Sequence, residues 1–270
     1  MQPITIRYAF APVRRSLATA EVADLFGLAD DQPYHTVAED VSLDIRPGDV
    51  VLFTGPSGSG KSSLLRQAGA QLGGLDAQQL PLPEVPLVDA LPGSVPERLG
   101  WLAACGLSEA RLLLRCPSEL SDGQRYRFRL ALGLTQLPEG GFLLADEFAA
   151  LLDRPTARIL AYNLRKRATA SRRGVLAATT HDDLTDDLQP DLHVYCQGDG
   201  VIRCQRRDVK KNGPASLTIF GSPRAPVPTG RTSLGGITAA RTWASPAASC
   251  CSGTGKTPSA SASSPPPPHP

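Results

Sequence analysis

The sequence has no apolar run of the roughly 18–20 residues that a membrane-spanning helix requires. Its amino-terminal segment, MQPITIRYAFAPVRRS, lacks the charged stretch and following apolar core of a secretion signal. Six cysteines are present, but none forms a C-x-x-C pair or a Cys/His cluster with zinc-ligand spacing. These absences predict a cytoplasmic chain with reduced thiols and no direct insertion into a membrane.

Acidic residues are missing from residues 211–270, which contain five Lys or Arg although the whole chain has a net charge of only +2. Forty-four of these 60 residues are Pro, Ser, Gly, Ala or Thr. A segment of this composition cannot bury enough apolar surface to offset the entropy lost on ordering. We therefore expect residues 209–270 to form a disordered tail.

Strand and helix patterns alternate in the rest of the chain. The apolar runs VVLFT, FLLA and GVLAA are typical of strands that are buried on both faces, and helical patterns lie between them. This alternation predicts an α/β fold with a mostly parallel core sheet. ITIRYAF and RRSLATAEVADLFG predict a strand–helix extension over residues 1–33, which leaves residues 34–208 as the main domain.

The segment GPSGSGKSS fits the pattern G-x-x-x-x-G-K-[ST], with an apolar strand before it and a helical pattern after it. Its glycines allow consecutive N–H groups to turn toward a phosphate, and the helix N-terminus adds the positive end of its dipole. We expect Lys61 to reach the β- and γ-phosphates of ATP and the Ser62 hydroxyl to ligate Mg²⁺. The residues predicted to bind ATP here are Gly55, Pro56, Ser57, Gly58, Ser59, Gly60, Lys61, Ser62 and Ser63.

The run FLLADE places Asp146 and Glu147 at the carboxyl end of a buried strand, beside the predicted phosphate loop. Asp146 is suited to hold Mg²⁺ or its bound waters. Glu147 is suited to polarise the water that attacks the γ-phosphate. The alternative is a buried strand that simply ends in two exposed acids.

The stretch ELSDGQRYRFRLALG predicts an amphipathic helix with Gly123 near its start, where glycine costs about 1 kcal/mol relative to alanine. LSDGQ, between a phosphate loop and a strand ending in Asp-Glu, resembles the signature motif of ABC-type ATPases, which is usually LSGGQ. The resemblance implies an ATP-dependent homodimer in which the signature of one subunit contacts the γ-phosphate bound by the other. An ordinary helix cap at Ser121 is the alternative. The signature residues are Leu120, Ser121, Asp122, Gly123 and Gln124.

Other segments follow the order of the same family. LLDRPTA resembles its D-loop, with Asp153 as the aspartate. ATTHDD places His181 where the family has a switch histidine that senses the γ-phosphate. Tyr34 lies roughly where an aromatic residue stacks on adenine, although a chance position in a loop is the alternative. The resemblance therefore implies a P-loop NTPase fold of ABC type, with catalytic roles for Lys61, Glu147 and His181.

The interval between Lys61 and Ser121 is shorter than in transporter ATPases of this family. The residue that corresponds to the glutamine loop of this family is Gln78, Gln79 or neither of them. The shortness implies a small helical subdomain, in the region where transporter ATPases build the surface that docks onto membrane subunits.

Several blocks resemble a group of ABC-type ATPases fused to a predicted acetyltransferase domain, among them ITIRYAF, VSLDIRPGDVV, ELSDGQRYRFRLA, AYNLRKRA and ATTHDDL. The resemblance covers about residues 3–208 and implies an ABC-type ATPase domain over residues 34–208. No acyl-CoA loop of the form Q/R-x-x-G-x-G/A follows, so we expect the ATPase half alone.

The implied function is Mg²⁺-dependent ATP hydrolysis that moves an attached partner protein of unknown identity. The alternatives are the ATP-binding subunit of a membrane transporter and a nucleotide-sensing module with little turnover. The basic segment LRKRATASRR could contact nucleic acid, but a solvated helix face explains it more simply.

Overall fold

The computed structural model describes residues 1–9, 16–27, 34–207 and 216–220. Nine strands and seven α-helices follow one another within these ranges. In chain order they are β1 (Ile4–Ala9), α1 (Leu17–Phe26), β2 (Tyr34–Val41), β3 (Val50–Thr54), α2 (Lys61–Leu72), β4 (Leu75–Asp76), α3 (Val95–Ala104), α4 (Ala110–Leu113), α5 (Asp122–Gln136), β5 (Phe142–Ala145), α6 (Arg154–Ser171), β6 (Gly174–Ala178), α7 (Thr185–Leu188), β7 (Leu192–Gly198), β8 (Val201–Arg206) and β9 (Ser216–Phe220).

Seven strands form the main sheet in the order β4-β5-β6-β3-β7-β8-β9. The first five run parallel to one another, whereas β8 and β9 are antiparallel to their neighbours. This arrangement confirms the predicted α/β fold with a mostly parallel core sheet. The antiparallel part begins with the hairpin of β7 and β8.

Both faces of the main sheet are buried, as a parallel sheet with helices on each side requires. Val50 and Leu52 of β3 lie in one apolar cluster, together with residues of α5 and α6. Val51 and Phe53 lie in the other cluster, together with residues of α2 and β2. Because alternate side chains of a strand point to opposite faces, β3 is buried along its whole length and forms the centre of the molecule.

The predicted helical subdomain is present and short. It consists of α3 and α4, which lie between the phosphate loop and the start of α5. The side chains of Leu102 and Leu107 are fully buried in the cluster that also covers α5. The small subdomain is therefore anchored directly on the helix that carries the LSDGQ segment.

The first strand belongs to the main body of the fold rather than to a separate extension. It pairs with β2 in antiparallel fashion, and Ile4 lies opposite Val41 with both side chains buried. Helix α1 lies in the connection between these two strands, and Gly27 forms its C-terminal cap. The boundary predicted between residues 33 and 34 therefore separates two strands that pair with each other.

Strand β9 lies within the segment that was predicted to be a disordered tail. Ser216–Phe220 pairs with β8, and Phe220 packs against the core. Averaging composition over 60 residues concealed the short run SLTIF, which has the β-branched and aromatic residues that favour a strand. The rest of the predicted tail lies outside the described residues. No helix within the described ranges is long and apolar enough to cross a membrane.

Candidate nucleotide-binding site

The phosphate loop joins the end of β3 to the first residue of α2. Two of its glycines are required by close packing and by backbone conformation. Gly55 has φ 140°, and an added Cβ would overlap the carbonyl oxygen of Cys196. Gly60 has φ 90°, and an added Cβ would overlap Cγ1 of Val37. The loop thus holds its turn only with glycine at these two positions.

The side chain of Lys61 lies inside this turn. The residue is only 8% exposed, and its Nζ donates a hydrogen bond of 2.7 Å to the carbonyl oxygen of Pro56. A buried ammonium group requires such a partner because desolvation of a charge is costly. The loop carbonyl therefore holds the amine at the centre of the loop, where a phosphate can replace it as the partner.

The carboxylate of Asp146 lies beside the start of α2. Its Oδ1 accepts hydrogen bonds from Ser62 Oγ at 2.8 Å and from the Glu147 N–H at 3.0 Å. Its Oδ2 accepts a hydrogen bond of 3.0 Å from Nη2 of Arg66. A hydroxyl and a carboxylate this close fit Mg²⁺, which prefers oxygen ligands and is bound through one or two protein groups plus phosphates.

The side chain of Glu147 is exposed and borders the same cavity as Asp146 and Lys61. Its φ of 51° lies in the left-handed region that residues other than glycine rarely adopt. The neighbouring Phe148 N–H donates a hydrogen bond of 2.6 Å to the carbonyl oxygen of Ala178, which fixes the turn after Glu147. A carboxylate held in this way is available to accept a proton from a water molecule in the cavity.

The cavity has a volume of about 500 Å³. It is lined by residues of the phosphate loop, by Asp146 and Glu147, and by Tyr8, His35 and Val37. The predicted loop residues Ser57, Gly58, Gly60, Lys61, Ser62 and Ser63 all border it. The structure therefore brings six of the nine predicted loop residues to one cavity with Asp146, whereas Gly55, Pro56 and Ser59 do not border it.

Tyr34 does not border the cavity, in contrast to its predicted position against adenine. Its ring lies under the guanidinium of Arg7, with 5.2 Å between the guanidinium carbon and the ring centroid. The next residue, His35, points to the opposite face of β2 because side chains alternate along a strand. Tyr8 also borders the cavity, and its hydroxyl forms a hydrogen bond of 2.7 Å with Ser63 Oγ. Sequence analysis missed Tyr8 because the pairing of β1 with β2 is a tertiary feature.

The two candidate glutamines lie in a short turn after β4. Nε2 of Gln78 donates a hydrogen bond of 3.2 Å to the carbonyl oxygen of Asp146. Gln79 is exposed and makes no hydrogen bond to the site among the described residues. Gln78 is therefore the candidate glutamine that contacts Asp146, through the backbone carbonyl oxygen of that residue.

His181 and Asp153 occupy loops beyond the sheet edge without bordering the cavity of their own chain. His181 is exposed and follows β6, and its N–H donates a hydrogen bond of 3.2 Å to Thr179 Oγ1. Asp153 caps α6 by accepting a hydrogen bond of 3.0 Å from the Thr156 N–H. This backbone hydrogen bond is the main reason why the pKa of Asp153 lies below its ordinary value.

The signature segment also lies outside the cavity of its own chain. Ser121 and Asp122 are exposed, whereas Leu120 is buried in the core. At Gly123, an added Cβ would come within 3.3 Å of Cδ2 of Leu152, so a neighbour within the chain already limits the size of this residue.

Hydrogen bonds link the loops at this edge of the sheet. In addition to the bond between Phe148 and Ala178, the Thr179 N–H donates to the carbonyl oxygen of Phe53 at 3.0 Å. The first bond connects the segment after Glu147 to the end of β6, the strand before His181. The second bond connects the residue after β6 to β3, the strand before the phosphate loop. The segment after Glu147, the end of β6 and the end of β3 are therefore joined by backbone hydrogen bonds.

The basic segment of α6 is mostly paired within the chain. Arg165 pairs with Asp191, and Arg172 pairs with Glu139. The guanidinium carbons of Arg167 and Arg173 each lie 5.4 Å from the ring centroid of Trp101. These four positive charges therefore have partners within the chain, and no nucleic-acid partner is needed to account for them.

No protein-family model matches the chain. It is 31% identical over 235 residues to the aliphatic sulfonates import ATP-binding protein SsuB 1 of Streptomyces avermitilis, covering 79% of this chain and 87% of that protein. The chain belongs to the family of ABC-type ATP-binding cassettes. The cassette is also 30% identical over 217 residues to the zinc import ATP-binding protein ZnuC of Cereibacter sphaeroides, covering 68% of this chain and 82% of that protein.

Among solved structures, the cassette is similar to the ATP-binding cassette MJ0796 in a dimeric post-hydrolysis state bound to ADP and Pi. The TM-score is 0.51 at 21% sequence identity, and the match covers 74% of this chain and 94% of that one. The solved structure supports the fold, and the sequence relatives establish the family. The cassette is an ATPase that binds and hydrolyses ATP.

Proposed function

We propose that the cavity beside the phosphate loop is the site of Mg²⁺-dependent ATP hydrolysis. The observation that carries this proposal is the 2.8 Å hydrogen bond from Ser62 to Asp146, the residue that directly precedes Glu147. Ser62 and Asp146 would hold the metal, and the phosphate loop with Lys61 would bind the β- and γ-phosphates. The chemistry that Mg²⁺ would supply there is neutralisation of the charge that develops on the phosphate oxygens.

Glu147 acts as the general base in this proposal. Its exposed carboxylate borders the cavity and can accept a proton from the attacking water, a role worth about 10²–10⁴-fold in rate. Gln78 orients the site through the carbonyl oxygen of Asp146, and His181 contacts the γ-phosphate once nucleotide is bound. Tyr8 and His35 border the same cavity and contact the nucleoside in this proposal.

The signature segment requires a second copy of the chain to reach a phosphate. Ser121, Asp122 and Gly123 lie outside the cavity of their own chain, and the first two are exposed. A head-to-tail homodimer formed on ATP places them opposite the partner subunit's phosphate loop. Asp153 lies in the same loop region and joins this interface. The ATPase domain comprises residues 34–208 together with β1, which completes its nucleotide site.

Hydrolysis drives the movement of an attached protein. The blocks that resemble ATPases fused to an acetyltransferase domain support a non-membrane partner of that kind. A transporter subunit is the second candidate, and the 87% coverage of SsuB 1 favours it. Copurification distinguishes them, because the first candidate predicts a partner in the supernatant of a membrane pellet and the second predicts one within the pellet.

A phosphate-release assay with Mg-ATP tests the catalytic part of the proposal. We expect turnover by the wild-type chain, its loss in Lys61→Ala, and its retention in Lys166→Ala, which changes an exposed lysine on α6. Nucleotide binding without phosphate release by the wild-type chain would support the nucleotide-sensing alternative instead.

A further inference from the structure

Asp146 is a largely buried carboxylate with one cation beside it. Its side chain is 8% exposed and forms an ion pair of 3.0 Å with Nη2 of Arg66. The other cation near this carboxylate is Lys61 of the phosphate loop, which donates instead to the carbonyl oxygen of Pro56. Among the described residues, Arg66 is thus the ion-pair partner of Asp146.

The position of Arg66 follows from the helix that carries the metal-binding hydroxyl. Arg66 lies four residues after Ser62 on α2, so the two side chains share one face of the helix. Ser62 donates to Oδ1 of Asp146 and Arg66 donates to Oδ2, which leaves both carboxylate oxygens engaged by α2. A metal ion that binds Asp146, directly or through its waters, would share the carboxylate with these donors.

Arg66 differs from Asp146 in its access to solvent. Its side chain is 61% exposed, and its remaining N–H groups make no other hydrogen bond among the described residues. The guanidinium can therefore leave the carboxylate for water without unfolding any part of the helix. Arg66 is thus a counter-ion on a solvent-exposed side chain and is not part of the packed core.

We propose that Arg66 is the counter-ion of Asp146 in the metal-free site and that it sets the Mg²⁺ concentration at which the bound nucleotide acquires its metal. This inference rests on the proposed function of the site. Two cations at one carboxylate repel each other, so the guanidinium competes with the metal. The ion pair keeps the buried carboxylate neutralised while the metal is absent.

Titration of Mg²⁺ into a preformed complex with a fluorescent ATP analogue, assembled in EDTA, measures this competition directly. We expect Arg66→Gln to lower the half-saturating free Mg²⁺ concentration about fivefold, since an ion pair whose cation is exposed to solvent contributes up to about that factor. Arg66→Lys, which keeps the cation, should stay within about twofold of the wild type. Arg158→Gln provides a matched control, because Arg158 of α6 is a similarly exposed arginine that pairs with Asp187 of α7.

Two further measurements separate competition from other roles. In an Asp146→Asn background, Arg66→Gln should have no effect on the Mg²⁺ midpoint. Raising the salt concentration should reduce the difference between wild type and Arg66→Gln, because an exposed guanidinium is screened.

Equal or higher Mg²⁺ midpoints in Arg66→Gln, with normal nucleotide binding, would overturn this inference and leave the proposed function intact. Loss of nucleotide binding in Arg66→Gln both with and without Mg²⁺ would also overturn it, by showing that Arg66 binds phosphate. If the wild-type chain bound no nucleotide in the cavity, the proposed function and this inference would both be wrong.

Discussion

Ser121 and Gln124 satisfy each other's backbone amides at the start of α5. The Gln124 N–H donates to Ser121 Oγ at 3.3 Å, and the Ser121 N–H donates to Gln124 Oε1 at 3.0 Å. This reciprocal cap supports the simpler interpretation of Ser121 as a helix-capping residue. The same geometry also presents the free N–H groups of a helix N-terminus to solvent, where a phosphate can bind.

Mixed dimers test whether Ser121 acts on the partner subunit. Lys61→Ala disables the phosphate loop, and Ser121→Arg places a bulky cation in the signature, so each homodimer should be inactive. In a mixed dimer both changes fall at one composite site, and the other site is intact. We therefore expect mixing to recover part of the phosphate release that both variants lack alone.

Crosslinking must establish that the mixed dimers form, and ATP occupancy should be measured beside turnover because strict coupling of the two sites would mask rescue. Confirmed mixed dimers with neither recovered turnover nor one restored ATP site would mean that Ser121 serves only as a cap.

Substitution of Glu147 by Gln should reduce turnover by about 10²–10⁴-fold while ATP binding persists. The carboxamide keeps the shape of the side chain but cannot accept the proton of the attacking water. An ATP-bound dimer should then accumulate and elute earlier in size-exclusion chromatography with Mg-ATP. Glu139→Gln, at an exposed position paired with Arg172, is the control. Turnover at the wild-type rate in Glu147→Gln would remove Glu147 from the role of base.

Tyr8 should contribute to nucleotide affinity, whereas Tyr34 should not. Tyr8 borders the cavity and contacts Ser63, but the ring of Tyr34 packs against Arg7. We expect Tyr8→Ala to raise the dissociation constant of an ATP analogue about three- to tenfold, since an aromatic contact is worth about 0.5–1.5 kcal/mol. Tyr34→Ala should change it less than about twofold in the same calorimetric titration. A larger effect of Tyr34→Ala than of Tyr8→Ala would mean that Tyr34 is the residue that stacks on adenine.

Asp191 should make stability depend on pH. Burial acts to raise its pKa, but hydrogen bonds from Arg165 and the Val50 N–H, with the charge of Arg206, outweigh burial and lower it. A lowered pKa means that the carboxylate stabilises the fold above its unfolded pKa of about 3.9 and loses this effect as pH falls through the folded pKa.

We therefore expect Asp191→Asn to reduce the free energy of unfolding by about 1–3 kcal/mol at pH 7, as for a hydrogen-bonded charge. Urea unfolding should show the difference from wild type shrinking below about pH 4. The exposed pair of Arg172 and Glu139 provides the control, and Glu139→Gln should have little effect. A constant difference at all pH values would mean that Asp191 acts through packing instead.

The carboxyl-terminal strand predicts a difference between two truncations. Removal of residues 221–270 should leave stability unchanged, because β9 stays paired with β8. Truncation after Arg207 also removes Phe220, whose partly buried ring packs against the core. We expect that shorter chain to unfold at a lower temperature, with ATPase activity retained below the transition. Equal melting temperatures for the two truncations would show that β9 adds nothing to stability.

Sequence patterns predicted the parts of this protein that depend on local order. The phosphate loop, the buried strand before Asp146 and the helix that follows LSDGQ each combine a motif with a strand or helix of matching period. The main sheet could be inferred because alternating strands and helices allow few arrangements.

The features that were missed depend on which strands become neighbours. Tyr8 reaches the cavity only because β1 pairs with β2, and Tyr34 is directed away by the same pairing. Gln78 was distinguishable from Gln79 only after the turn beyond β4 placed its amide against Asp146. Strand β9 was concealed by the composition around it. None of these contacts leaves a periodic signal in the sequence.

The hydrogen bonds between loops at the sheet edge have a consequence for how the proposed site responds to nucleotide. Phe148 is bonded to Ala178 and Thr179 to Phe53, so the turn after Glu147, the end of β6 and the strand before the phosphate loop are joined through the backbone. In the proposed mechanism, a shift of the phosphate loop on binding nucleotide would therefore be passed to the segments that carry Glu147 and His181 without any side chain between them.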